Sequence, residues 1–434
     1  MKFLAVYLNE TRVGFLSQFG DIYQFLADDS YLAEPNRPTL SLAYTVLGND
    51  QLTRQLLTEP ATILTRGFGR LPPFFDNLLP EGALREWLAA ERHIALNDGL
   101  ELLAAAGNNL PGAVIVRPEL PAESVKLKHY TNKKNALQSQ GVEAPLVDAF
   151  SLAGVQFKLA LSALDGNQRY TMHFEEGIDG EPIIGKFPAV QHSDMVYTEF
   201  SGMELTRVAG IETADCWLAP ITALDKRSQV KTQSSLGKEF LAVRRFDRKA
   251  GGGRVHIEDF CQVLSMAPER KYGKPADYET LAAILLRAAA DGEQQVAAYI
   301  RRQVVNTLLG NTDAHLKNFS LIYRNGCSPE LAPAYDQVPV FLYFDETPTL
   351  AINKKIDAIL TAQTLKTYRE LFKQLGLSPA LAAQIVKDTV ERCLALWPEA
   401  MRHLPLTVTQ RHKIEHRINH LPLVLEILRR RSFK

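Results

Sequence analysis

L-L-G-N-T-D-A-H-L-K-N-F-S occupies residues 308–320, after a strongly apolar helical stretch and before a stretch of strand character. That position predicts a loop. Asp313 and Asn318 stand five apart on it. A carboxylate and an amide on one loop offer a hydroxyl proton an acceptor and a divalent cation a hard oxygen ligand. Phosphoryl transfer needs both. The same residue types also cap helices and close turns, so the pattern alone leaves both readings open.

The next carboxylate in the argument is Asp336, eighteen residues beyond Asn318 in Ala334-Tyr335-Asp336. The interval reads F-S-L-I-Y-R-N-G-C-S-P-E-L-A-P-A-Y-D, a hairpin with Asn325-Gly326 at its turn. Its far arm returns Asp336 to the first loop. Protein kinases use the Asp-to-Asn spacing in their catalytic loop, with a later aspartate as second magnesium ligand. Upstream, Lys186 interrupts the apolar run P-I-I-G-K-F-P at 182–188. A charge inside an apolar strand must snorkel or find an anion, and a nucleotide phosphate is such an anion. Glu199, thirteen residues on, falls on a helix expected over Asp194–Val208 and can pair with Lys186, or form a plain surface salt bridge. The strand-loop-strand F-S-L-A-G-V-Q-F-K at 150–158 carries small residues at Ala153 and Gly154, which would admit backbone amides to phosphates; a bulge or turn is the alternative. His315 is either catalytic or a loop-holding hydrogen bonder.

Farther outward, the chain divides. Leu4, Val6 and Leu8, a break at Asn9-Glu10, then Val13–Phe15 predict a hairpin. Pro80 opens a helix running through Leu88. Residues 1–118 form a small α/β domain, and 119–148 a polar connecting segment. Residues 149–250 carry strands at 150–164, 169–174, 181–190 and 238–246 around the one helix. From the glycines at 251–253 to residue 434 the chain is helical, interrupted only by the hairpin. The expected fold class is α+β and bilobal: a β-rich lobe, preceded by the α/β domain, joined to an all-helical lobe.

Composition narrows the function classes. Of 434 residues, 49 are Lys or Arg and 49 Asp or Glu, so no overall basic excess points to nucleic acid. The four cysteines, 45 or more residues apart, have neither metal-ligand nor disulfide-framework spacing. No apolar run reaches the 18 residues of a membrane span. A soluble, cytoplasmic protein is expected. H-E-x-x-H, G-x-S-x-G, the Walker A motif and the Rossmann glycine pattern are all absent.

Taken together, S-L-A-G-V-Q-F-K, I-G-K-F-P, A-V-R-R-F-D-R, N-T-D-A-H-L-K-N-F-S and A-Y-D resemble the motifs of the HipA-like kinases, the toxin halves of bacterial toxin–antitoxin pairs. F-F-D-N-L-L-P-E at 74–81 and G-A-V-I-V at 112–116 resemble that family's small N-terminal subdomain. The resemblance implies a serine/threonine protein kinase using ATP and Mg2+. Asp313 would be the catalytic base, with Asn318 and Asp336 binding the metal. Lys186 would contact phosphates under a loop formed by Ala153, Gly154, Val155, Gln156 and Lys158. Arg244, Arg245 and Phe246 would form the adenine hinge, with His315, Lys317 and Tyr335 lining the site. Ser151 matches the serine whose autophosphorylation switches the family off. The implied partners are a helix-turn-helix antitoxin, operator DNA through it, and a protein substrate such as an aminoacyl-tRNA synthetase. There are departures: Arg244 where an acidic residue is expected, Phe157 in the phosphate loop, and Gly107-Asn108-Asn109 before the G-A-V strand. Two further readings stand beside the kinase toxin: a weakly catalytic co-repressor acting with its antitoxin, and a small-molecule kinase.

Overall fold

The first hairpin forms where the alternation placed it. Strands β1 (Lys2–Leu8) and β2 (Thr11–Phe19) pair antiparallel, and Asn9 takes the turn with φ 51°. The computed structural model describes residues 1–59, 64–107, 109–122, 158–172, 180–188, 192–226, 228, 237–249, 252–272, 277–343 and 363–431. With β3 (Ile22–Ala27), β4 (Arg66–Phe68) and β5 (Val114–Arg117) the hairpin builds a sheet of order β4-β3-β2-β1-β5. Helices α1 (Asp29–Ala33), α2 (Asp50–Thr58), α3 (Pro73–Asp76), α4 (Gly82–Arg92) and α5 (Gly99–Ala106) accompany it. Phe25, Phe74, Phe75, Leu88 and Leu103 sit in one core with Leu4 and Val6. Burying each of these large side chains contributes roughly 1.5–3 kcal/mol.

The second sheet, β7-β6-β8-β10-β9, comprises β6 (Lys158–Leu164), β7 (Arg169–Met172), β8 (Glu181–Lys186), β9 (Cys216–Pro220) and β10 (Glu239–Arg244). Helix α6 (Met195–Val208) crosses behind it. One of its faces, Val196 and Met203, packs on Leu241 and Val243 of the sheet, while Leu205 packs into the helical lobe. Trp397 donates its Nε1–H to the Leu205 carbonyl at 2.9 Å, tying the two together.

The last part holds α7 (Phe260–Val263), α8 (Tyr278–Ala288), α9 (Gly292–Leu309), α10 (Leu365–Gln374), α11 (Pro379–His403), α12 (Val408–His420) and α13 (Pro422–Arg431). A small sheet, β11-β12-β13, lies among them, with β11 (His256–Asp259), β12 (Ser320–Tyr323) and β13 (Glu330–Leu331). The mixed α+β class and the hairpin across Asn325-Gly326 are as expected. Two strands of the later lobes are not. β9 is a short, Pro-ended segment, and β11, His-Ile-Glu-Asp, lacks apolar alternation because Glu258 is itself buried. No helix among the described residues is long and apolar enough to cross a membrane.

The segment from α3 to α4 touches both lobes. The Phe74 carbonyl accepts from Gln262 Nε2 at 3.1 Å, and Asn77 Nδ2 donates to the Met266 carbonyl at 2.8 Å, both in the helical lobe. Leu84 packs instead with Leu159, Tyr170 and Phe187 of the second sheet.

Candidate active site

Lys158 and Lys186 face each other as cross-strand partners on β6 and β8, and both are buried. Like charges directly opposite each other destabilise a sheet unless an anion lies between them. Here Asp336 is that anion: Lys186 pairs with Asp336 and with Glu199, and Lys158 Nζ lies 3.9 Å from Asp336 Oδ2. Burial opposes the charge on Lys186, but the two carboxylates outweigh it and hold its pKa above the ordinary lysine value. Burial pushes Lys158 down, with Asp336 only partly compensating. Asp336 is itself desolvated, yet the two lysines keep its carboxyl well below the usual range. Glu199 moves the other way, because burial exceeds the help from Lys186.

Two close approaches make this cluster possible. Asp336 has φ 53°, in the left-handed region that aspartate tolerates better than most residues. Gly202 of α6 lies so near the next residue that a Cβ there would meet the Gln337 carbonyl oxygen at 2.0 Å. The helix carrying Glu199 is thereby seated against the segment carrying Asp336.

The 311–319 loop begins at Gly310, which ends α9 with φ 69°. Asn311 then anchors it, its Nδ2 donating to Asn306 Oδ1 at 3.1 Å and to the Asp336 carbonyl at 3.4 Å. The His315 N–H donates to the Asp313 carbonyl at 2.8 Å, and the Asn318 N–H to the His315 carbonyl at 2.9 Å. Asn318 Nδ2 also donates to the Asp313 carbonyl, at 3.0 Å. The turn-closing and the metal-ligand readings of Asn318 are therefore compatible: its nitrogen closes the loop and its oxygen is left for a cation. The hydrogen bonds that hold the loop at His315 come from its backbone. Its ring is buried, burial pushes its pKa down to about 4, and Nδ1 has no hydrogen-bond partner among the described residues.

Asp313 stands at the mouth, exposed. Tyr272 donates its hydroxyl to Asp313 Oδ1 at 3.2 Å. The concave wall still removes enough water to raise the Asp313 pKa. That hydrogen bond and Lys271 oppose the shift, and Asp336 adds to it.

The 244–246 stretch divides into three roles. Arg244 pairs with Glu181 and Asp215 on the outer sheet and lies 5.7 Å over the Trp217 ring. Arg245 turns away into the N-terminal domain, donating to Asn109 Oδ1 at 2.6 Å, to the Leu110 carbonyl at 3.3 Å and to Asp247. The N–H groups of Arg244 and Arg245 bond the Asp215 and Pro182 carbonyls. Among the described residues nothing accepts from the Phe246 N–H. Its ring lies 5.9 Å from that of Tyr335, whose hydroxyl bonds Ser320 and the Lys317 carbonyl. The Lys317 amino group meets Asp259 Oδ2 at 3.0 Å, Asn77 Oδ1 at 3.0 Å and Glu81 Oε1 at 3.4 Å.

These groups line one cleft of about 790 Å³. It brings together Asp313, Asn318, Asp336, Lys186, Lys158, Glu199, His315, Lys317, Tyr335 and residues 244–246. Ser151, Ala153, Gly154, Val155 and Gln156 lie outside the described residues. Sequence reading missed Glu81, Asn77, Lys271 and Tyr272 as cleft residues. F-F-D-N-L-L-P-E carried a signal for the first two, but Lys271 and Tyr272 stand in no motif.

The donor set fits magnesium and a nucleotide. Among the described residues no group of three or more His, Cys, Asp or Glu could cage a metal. Magnesium does not ask for one, since it binds through one or two protein ligands plus substrate phosphates. Asn318 and Asp336 would supply such a pair, and the opposed lysines would supply charge for the phosphates.

Residues 4–117 match the HipA N-terminal domain, and residues 150–397 the HipA-like C-terminal domain. A putative kinase of Sinorhizobium fredii is 32% identical over 416 residues, covering 92% of this chain and 91% of its own. The serine/threonine-protein kinase toxin HipA of Shewanella oneidensis is 27% identical over 318 residues, 65% of this chain and 67% of that one. A solved Shewanella oneidensis HipA, in complex with HipB and its operator DNA, superposes with a TM-score of 0.68 at 22% identity. It covers 98% of this chain and 97% of its own.

Proposed function

This chain belongs to the HipA family of kinases, and from that premise we propose that it is an ATP-dependent serine/threonine protein kinase acting as the toxin of a toxin–antitoxin pair. The observation that carries the reading is the arrangement of charge in the cleft. A pair of buried lysines converges on Asp336 at one side, and Asp313 is exposed at the mouth beside it.

The acceptor serine or threonine hydroxyl approaches Asp313 from solvent, and Asp313 takes its proton as the oxygen attacks. Burial raises the pKa of Asp313, which makes its carboxylate a better proton acceptor than a solvated one. Lys186 and Lys158 hold the phosphates and offset their charge, while Glu199 keeps Lys186 aimed. Asn318 Oδ1 and the Asp336 carboxylate would hold magnesium, which supplies charge neutralisation at the transferring group. Phe246, Tyr335, Ile184 and Val243 form the apolar wall for the base, with the Phe246 N–H as donor. Arg245 and Lys317 serve this site by structure, since their cationic groups are taken up by Asp247, Asp259 and Asn77.

Autophosphorylation of Ser151 would add about two negative charges beside the phosphate site and switch the kinase off. The substrate belongs to the translation machinery, with an aminoacyl-tRNA synthetase the first candidate. The partner is a helix-turn-helix antitoxin through which the complex reaches operator DNA. The Shewanella assembly with HipB and operator DNA supports that partnership.

The test is incubation of purified protein with magnesium and γ-labelled ATP, then phosphosite mapping, beside Asp313→Ala. Phosphate on Ser151 in the wild type alone supports the reading. No incorporation by the wild type, with or without a synthetase mixture as acceptor, sinks it.

A further inference from the structure

Asp313 is already hydrogen-bonded with no acceptor present. Tyr272 Oη lies 3.2 Å from Oδ1 of that carboxylate, although its side chain is 52% exposed and could turn to water instead. The carbonyl of the preceding residue, Lys271, accepts the Leu316 N–H at 3.0 Å, so this stretch is stitched to the 311–319 loop. The Lys271 amino group is held by Glu81 at 3.2 Å. The Tyr272 ring meets the His315 ring edge-on at 5.4 Å, which fixes the direction of its hydroxyl.

Resting on the kinase reading above, we propose that Tyr272 is a positioning residue that occupies the acceptor hydroxyl's place on Asp313 Oδ1 and competes with water for that oxygen until an acceptor displaces it. The phenol does the one thing the acceptor must do on arrival, which is to donate a hydrogen bond to Asp313. It is not itself a ready nucleophile, because burial and the Asp313 charge push its pKa up to about 12 and it keeps its proton at neutral pH. Displacing it is easy: half the ring is already in solvent, and one hydroxyl–carboxylate bond is exchanged for another. Its place would otherwise be taken by water. A water oxygen on Asp313 could form the bond to the γ-phosphorus while the bond to the β–γ bridging oxygen breaks. The electron pair would leave with ADP and the water proton would pass to Asp313. A kinase with an open base hydrolyses its nucleotide in this way, and one whose base is partly occupied does so more slowly.

The experiment measures phosphate release from Mg–ATP by the full chain with no protein acceptor, for wild type, Tyr272→Phe, and Tyr272→Phe combined with Asp313→Ala. Nucleotide affinity is measured in parallel with a fluorescent ATP analogue. Tyr272→Phe should hydrolyse roughly fivefold faster than wild type, the worth of about one net hydrogen bond. The gain should vanish in the double variant. Nucleotide affinity should stay at the wild-type value, so that the gain lies in turnover alone; a purely structural tyrosine would move affinity as well. Hydrolysis at or below the wild-type rate, with normal affinity and with labelling of protein still lost in Asp313→Ala, overturns the inference and leaves the kinase reading standing. A gain that persists in the double variant also overturns it. Absence of nucleotide binding by the wild type overturns both.

Discussion

Asp336 and Asp247 are both carboxylates flanked by two cations inside the protein, and they serve opposite ends. Asp247 pairs with Arg245 and Arg248, and the surplus capacity of all three groups is taken by backbone: Oδ2 accepts the Gly112 N–H at 2.8 Å, and Arg248 donates to the Leu110 and Gly112 carbonyls. Arg245 and Asp247 lie in the cleft wall, with their charged groups engaged by each other and by the N-terminal domain. Around Asp336 the cations Lys158 and Lys186 meet carboxylates, and the cluster opens into the cleft. In both, the cations outweigh desolvation and hold the aspartate below its usual range. The pKa direction therefore does not separate a structural cluster from a functional one. What separates them is whether backbone has absorbed the remaining donors and acceptors.

Substitution should pull the two apart. Asp336→Asn should reduce phosphoryl transfer by on the order of a thousandfold or more. Its melting temperature should fall by less than that of Asp247→Ala, because Glu199 still pairs with Lys186 and Lys158, already pushed down by burial, can give up its proton. An unfolding transition lowered by many degrees would mean that the open cluster is structural too. Asp247→Ala should do the reverse, costing about 3–5 kcal/mol by stranding two buried guanidinium groups. Nucleotide affinity of its folded fraction should be unchanged in titrations below the transition.

Glu258 supplies a third case, with donors but no cation. Ser41 Oγ donates at 2.5 Å, the Leu42 N–H at 2.9 Å, and Tyr323 through its hydroxyl. Burial outweighs these donors and raises its pKa to about 7. An acid raised on folding favours the fold while protonated, so its contribution is whole below about pH 4 and is lost as pH climbs towards 7. Neighbouring His256 is pushed down to about 4 by burial and acts in the opposite sense over about pH 4 to 6.5. The difference between wild type and Glu258→Gln isolates the glutamate. In denaturant unfolding at pH 5 and pH 8, the wild type should lose roughly 3 kcal/mol relative to the variant. A constant difference would show that the three donors keep Glu258 ionised throughout. The smallest effect belongs to Arg244→Ala, whose pairs with Glu181 and Asp215 lie in solvent. It should cost no more than about 1 kcal/mol and leave nucleotide affinity as it was.

The cleft's chemistry was readable where the relevant spacing is local. Asp313 and Asn318 share one loop, and Lys186 stood out because a charge broke an apolar strand. Arg245 shows the limit. Beside Phe246 it reads as part of a hinge, yet its guanidinium is spent on Asn109 and Leu110, more than a hundred residues away in sequence. Tyr272 and Lys271 were illegible for the same reason, since each meets the 311–319 loop only through the tertiary fold. Strand β11 was missed because its buried Glu258 breaks the alternation that marks a half-buried strand. Strand β9 was missed because it is short and ends in proline.

The segment from Phe74 to Leu84 has a mechanical meaning. Two bodies joined along one hinge keep a single easy motion, opening and closing about that line. A third body fastened to both removes it, as a cross-strut stiffens a folding frame. Here the strut is hydrogen-bonded to the helical lobe at Phe74 and Asn77 and buried in the second sheet at Leu84, with only Pro80 and its neighbours spanning the gap. Widening the cleft must break one of those attachments, so the strut braces the cleft at the width it has.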